Sequence, residues 1–154
     1  MTLELYIQRI VDHQGMPSDE QIYNWVTLAL KSKLKESPEL TVRITDTHEI
    51  QALNHEYRGK NKPTNVLSFP FEAMPGMAVN LLGDVVLCAE VVEAEAKEQN
   101  KTPTAHWAHI IIHGCLHLLG YDHISEKEAD EMEGLEIALL EQLGYNNPYI
   151  LHKT

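Results

Sequence analysis

The strongest constraint on this chain is the run from Thr102 to His123, which combines a broad apolar helical surface with a set of spaced histidines. Thr102 can cap a helix there and Pro103 suits its first turn. Ile111, Ile112, Cys115, Leu116 and Leu119 then spread apolar side chains widely enough to bury most of that helix, making it a rigid core element. His113 and His117 are four residues apart, so they lie on one helical face, a turn apart, and can share a cation. Gly120 lets the chain leave the helix through a left-handed residue, which glycine adopts without a Cβ clash. That turn can return His123 as a third ligand. Three neutral imidazoles leave a zinc ion its full charge and one open coordination position, the pattern of a catalytic rather than a closed structural site. Water in that position ionises near neutral pH.

The offsets of His117, Gly120 and His123 from His113 match the zincin motif H-E-x-x-H-x-x-G-x-x-H, with one departure. Gly114 stands where the motif has the glutamate that takes a proton from water, so peptidase chemistry lacks its base. His109 precedes His113 by one turn; it is expected at the solvent or the core edge rather than behind the ligands. Cys115 is about 200° around the helix from either ligand and faces away from the metal.

No segment of the 154 residues approaches the roughly 18 uninterrupted apolar positions of a membrane span. The N-terminal Met1-Thr2-Leu3-Glu4-Leu5-Tyr6 has no basic region leading into an apolar one, so export is not expected and a cytoplasmic location is. The chain is read as one domain, 1–154. Cys88 and Cys115 lie in apolar runs and read as core residues, not as a disulfide framework. With 12 Lys and Arg against 23 Asp and Glu, the formal charge of −11 argues against diffuse nucleic-acid binding, and DNA is not an expected partner. One window differs. Tyr57 to Phe71 contains no acidic residue, while Arg58, Lys60 and Lys62 fall close together.

Alternation at Leu3, Leu5 and Ile7, and again at Leu40, Val42 and Ile44, predicts two half-buried strands. Val66 to Phe69, closed by Pro70, and Leu82 to Cys88 read as two more. Ser18 with Gln21 has the form of a capping box opening a helix from about Asp19 to Leu34. Asp46 and Glu49 open a second helix, which carries Ile50, Leu53 and Tyr57 inward and delivers Arg58 at its end. Pro75-Gly76 marks a loop. Glu90 to Asn100 has helical composition, its glutamates at 90, 93, 95 and 98 reading as a solvated face. Ser125 with Glu128 forms another capping box and pins His123 between two helices. The last helix buries Met132, Leu135, Leu139 and Leu143, stops at Gly144, and exposes Glu126, Asp130, Glu131 and Glu133 to solvent. The order β-α-β-α-β-β-α-α-α predicts an α+β fold: a small mixed four-stranded sheet with about five helices, one of them a zincin-like metal helix.

Two segments, His113-Gly-Cys-Leu-His117-Leu-Leu-Gly-Tyr-Asp-His123 and Tyr57-Arg58-Gly-Lys-Asn-Lys-Pro63-Thr64-Asn65-Val-Leu-Ser68-Phe-Pro70, together with Leu82-Gly83-Asp84, resemble the YbeY family of bacterial zinc-dependent endoribonucleases. The resemblance runs over most of the chain. It implies a hydrolase that cuts single-stranded RNA in ribosome biogenesis, acting on ribosomal RNA, especially the 3′ end of the small-subunit RNA, and in ribosome quality control. It also implies one zinc per chain on His113, His117 and His123, and a functional role for Arg58. Lys60 and Lys62 are candidate RNA contacts beside it. Many relatives have aspartate where this chain has Asn61 and Asn65, so no base can be assigned at those positions. Asp84 and Asp122 read as turn or ligand-supporting carboxylates. The competing readings are a zincin-like metallopeptidase or amidase, opposed by Gly114, and a non-catalytic ribosome-assembly factor with structural zinc.

Overall fold

The computed structural model describes residues 3–71, 80–121 and 125–149. Four strands form a mixed sheet in the order β1-β2-β4-β3: β1 (Glu4–Arg9), β2 (Glu39–Thr45), β3 (Val66–Pro70) and β4 (Leu81–Cys88). β1, β2 and β4 run parallel, and β3 lies antiparallel on β4, pairing Val66 with Leu87 and Ser68 with Val85. Parallel neighbours need crossovers. The first is supplied by α1 (Asp19–Ala29), and the second by α2 (Thr47–Arg58) together with β3. Three further helices follow: α3 (Ala89–Glu98), α4 (Pro103–Leu118) and α5 (Glu126–Gln142).

Strand alternation sends successive β4 residues to opposite faces of the sheet. Val85 and Leu87 join the main core with Ile22, Trp25 and Val26 of α1, Trp107, Ile111 and Leu116 of α4, and Met132 and Leu140 of α5. Val86 and Cys88 join a smaller cluster under α2, with Ile50 and Leu67. Burial on both faces explains why the end of β4 reads as a continuous apolar run. The metal helix of the sequence reading is thus the central helix of the main core, against the β3–β4 edge of the sheet.

Four of the expected helix starts are made by side-chain caps. Ser18 and Gln21 form a reciprocal capping box. Asp46 accepts from the Glu49 amide, and Thr102 from the Ala105 amide with Pro103 in the first turn. Ser125 also caps α5, accepting from the Glu128 amide at 3.1 Å, but Glu128 does not return the bond, so that box is half formed. The first helix is shorter than expected. α1 ends at Ala29, and Lys31–Glu36 winds as a 3-10 helix with bonds such as Lys33 N–H to the Leu30 carbonyl. Only Leu34 ties that lysine-rich turn to the core, and a weakly anchored C-terminal turn tightens readily to this pattern. The predicted Pro75-Gly76 loop lies outside the described residues. No helix among the described residues is long and apolar enough to cross a membrane.

Candidate active site

α4 stops in a Schellman turn. Gly120, at φ +99°, donates to the His117 carbonyl at 3.0 Å, and the Tyr121 amide reaches the Leu116 carbonyl at 3.1 Å. Just inside that turn, His113 and His117 bring their Nε2 atoms to 3.1 Å from each other. His113 is backed by a carboxylate: its Nδ1 lies 2.6 Å from Glu136 Oε1, and Glu136 is fully buried on α5. A carboxylate can only accept, so Nδ1 carries the proton and Nε2 presents its lone pair toward His117. Two such nitrogens repel unless a proton or a cation lies between them. Their separation is close to the ~3.3 Å of two imidazoles held tetrahedrally at about 2.0–2.1 Å from zinc. The pair, with a carboxylate orienting one ring from behind, fits a divalent metal. His123, the third expected ligand, lies outside the described residues, as does Asp122. No group of three His, Cys, Asp or Glu among the described residues is placed to hold a metal by itself.

Behind His113 the contacts continue. Glu136 Oε2 accepts from the Tyr149 hydroxyl, and His109 Nε2 lies 3.5 Å from Glu136 Oε1 and 3.3 Å from the Tyr149 oxygen. Burial alone would raise the Glu136 carboxyl, but hydrogen bonds from His109, His113 and Tyr149 outweigh it and hold the group at about 2. Burial lowers His109, against the pull of Glu136, so its imidazole is neutral. For Tyr149, burial and then the Glu136 carboxylate push the phenol up, which keeps it a donor. His109 is therefore buried against Glu136 and Tyr149 behind His113, not a solvent-facing residue. Cys115 is fully buried in the core on the far side, its thiol pushed up to about 12 by burial.

Glu136 and Tyr149 are absent from the sequence reading. For Glu136 a signal existed: it falls four residues after Met132 and three before Leu139, on the stripe that buries both. A carboxylate on an apolar stripe needs a buried partner. The solvated face of α3 is corrected in part: Glu90 and Glu98 are exposed as expected, but Glu93 and Glu95 are partly buried. Glu95 turns inward to Asn65 and His106, and Glu93 meets His13 Nδ1 at 3.4 Å. On α5, Glu126, Asp130 and Glu131 are exposed as expected, and Glu133 is half-buried.

The histidine pair opens into a cleft of about 800 Å³ lined by Arg58, Thr64, Asn65, Val66, Leu67, Ser68, Pro70, His113, His117, Gly120 and Tyr121. Arg58 reaches it from the last turn of α2, which Gly59 closes at φ +70°. The loop that follows is tied down: buried Asn54 donates to the Lys62 carbonyl at 2.8 Å, and Gln51 to Asn61 Oδ1 at 3.1 Å. Lys60 and Lys62 are exposed on this loop but do not line the cleft, and Asn61 is occupied by Gln51. Asp84 is exposed on β4 and also lies outside the cleft lining.

Gly114 does not face the histidine pair. A Cβ built there meets Val85 Cγ1 at 2.7 Å and Val66 Cγ2 at 3.1 Å, and the Gly114 carbonyl accepts from Ser68 Oγ at 2.9 Å. The position where a zincin carries its base is pressed against the sheet, where any side chain would have to displace Val85.

The chain matches the family model described as "Endoribonuclease YbeY" over residues 9–144. It is also similar to the solution structure of TM1509 from Thermotoga maritima, with 29% identity over 89% of this chain and 88% of that one, at a TM-score of 0.58.

Proposed function

Because the chain belongs to the YbeY endoribonuclease family, we propose that it is a zinc-dependent, single-strand-specific endoribonuclease whose reaction takes place between Arg58 and the His113–His117 pair. His113, His117 and His123 would hold one zinc on a zincin-like helix, and the bound ion would supply Lewis-acid polarisation of a phosphoryl oxygen or acidification of a nucleophile. What supports the reading is that Arg58, His113 and His117 line a single cleft although they come from two helices more than fifty residues apart in sequence.

The side chains divide the work. Glu136 accepts a hydrogen bond from His113 Nδ1–H and so keeps the Nε2 lone pair directed at the proposed ligand position. The guanidinium of Arg58 presents a planar fork of donors that matches two phosphate oxygens and stabilises charge building on them. Lys60 and Lys62, exposed next along the chain, hold flanking phosphates of the strand. In this reading the substrate is ribosomal RNA, cut at the 3′ end of the small-subunit RNA, with a further role in ribosome quality control in the cytoplasm.

The peptidase alternative has no support at Gly114, where the base would have to occupy space held by Val85 and Val66. The test is a cleavage assay with metal-depleted and zinc-restored protein on single-stranded RNA, beside an unstructured peptide. Cleavage of RNA alone, restored by zinc, is the expected result; peptide hydrolysis lost with His117→Ala would reverse the assignment. End-group analysis then separates direct attack of water on phosphorus from attack by the ribose 2′-hydroxyl, which leaves a cyclic phosphate.

A further inference from the structure

Asn65 lies in the wall of the cleft, and its side chain is held from behind. Its Nδ2 donates to Glu95, at 3.1 Å to Oε1 and 3.4 Å to Oε2. Glu95 Oε1 in turn lies 3.0 Å from His106 Nε2, and the His106 side chain is only 2% exposed. One residue from the loop before β3, one from α3 and one from α4 thus form a chain that ends in the cleft. Burying an imidazole against a carboxylate carries a desolvation cost that a free surface amide would not require.

The consequence is directional. An amide has a donor end and an acceptor end of nearly the same shape, and an ionised carboxylate only accepts. Glu95 therefore fixes the amino end of Asn65 toward itself. The Oδ1 end meets no donor among the described residues, which leaves it to accept from a bound strand. The two hydroxyl residues beside it differ: Ser68 spends its hydroxyl proton on the Gly114 carbonyl, and the Thr64 hydroxyl can rotate between donor and acceptor roles. Apart from the histidine pair, whose nitrogens the proposed metal would take, Asn65 offers the wall an acceptor in a held direction.

We propose that Asn65 is a specificity-determining residue whose Oδ1 accepts a hydrogen bond from a ribose 2′-hydroxyl of the bound strand, with Glu95 and His106 as positioning residues. The proposal rests on the RNA-cleavage reading above. RNA and DNA of one sequence share their phosphates, so Arg58 cannot tell them apart; the 2′-hydroxyl is the donor that DNA lacks.

The test compares affinities, by fluorescence anisotropy at short times with the strand verified intact, for single-stranded RNA and a DNA strand of the same bases with deoxyuridine for uridine. The wild type is expected to prefer RNA. Asn65→Ala should weaken RNA binding roughly 3–10-fold, the usual net value of one neutral hydrogen bond, and leave DNA binding unchanged. Glu95→Ala should move the ratio the same way, and Glu95→Gln should restore it, because its amide oxygen still accepts from Asn65; a purely structural role would not move the RNA-to-DNA ratio. Equal loss on both strands, no loss on RNA, or a wild type that does not distinguish the strands would each overturn the assignment. Those results leave the nuclease reading intact if the wild type still cuts RNA. Failure of zinc-loaded wild type to cut RNA would remove that reading and this inference with it.

Discussion

Glu136 Oε1 lies 2.6 Å from His113 Nδ1, and the two residues belong to different helices, α5 and α4. Fully buried, Glu136 is stabilised as an anion by His109, His113 and Tyr149, so its charge is fixed in place behind the ligand position. Removing such an orienting partner typically lowers metal affinity about 10–100-fold. Glu136→Gln keeps the size and one acceptor but loses the charge, and should fold while binding zinc at least about tenfold more weakly. Competition against a chromophoric chelator measures this; unchanged affinity would mean that Glu136 serves packing only.

Gly114 is fixed by the sheet and not by catalysis. In an exposed helix interior, replacing glycine by alanine gains about 1 kcal/mol. Here the added methyl meets Val85, which is fully buried and β-branched and so has little freedom to rotate away. Overpacking of this kind costs about 1–3 kcal/mol, so Gly114→Ala should lower the unfolding free energy in spite of the better helix propensity. In a Val85→Ala background the same change should cost less. A denaturant series on the four variants reads the coupling, and additivity would show that the contact is not the reason for the glycine.

Local periodicity made most of the architecture legible: alternation at Leu40, Val42 and Ile44 and the caps at Ser18, Asp46 and Thr102 all mark elements of the fold. The His113–His117 pairing followed from a helical spacing of four, and Gly120 marked the turn beyond it. What stayed hidden depends on contacts between distant segments. Glu136 and His113 are 23 residues apart, Asn65 and Glu95 are 30, and no local pattern says which carboxylate on a helix meets which partner. Gly114 was legible as a missing glutamate, but its cause, the approach of Val85 and Val66, exists only once helix and sheet have packed.

The expected stoichiometry is one zinc per chain. His113 and His117, whose Nε2 atoms lie 3.1 Å apart, are two of the proposed ligands, and His123 is the third. Metal analysis of the purified protein should return one equivalent, and His117→Ala should lose most of it. The core should survive, because His117 is only partly buried while Trp107, Ile111 and Leu116 of the same helix carry the packing. Full zinc content in His117→Ala would dismiss the ligand assignment.

Arg58 shares a cleft with the two histidines yet is exposed and belongs to neither hydrophobic cluster, so its loss should separate chemistry from stability. If it only neutralised the C-terminus of α2, its removal would cost about 0.3–1 kcal/mol of stability and leave the reaction unaffected. If it stabilises charge on the phosphate, Arg58→Ala should slow cleavage roughly 10²–10³-fold at saturating RNA, with zinc content and melting behaviour close to wild type. Arg58→Lys should recover only part of the rate, because an ammonium is a point charge without the planar fork. Lys60→Ala and Lys62→Ala act differently, since neither residue lines the cleft. They should weaken RNA binding and flatten its salt dependence by about one phosphate contact each, with the rate at saturation nearly unchanged. Single-turnover cleavage across a salt series distinguishes the two groups of variants, and a near-normal saturating rate for Arg58→Ala would return Arg58 to the role of a helix-end charge.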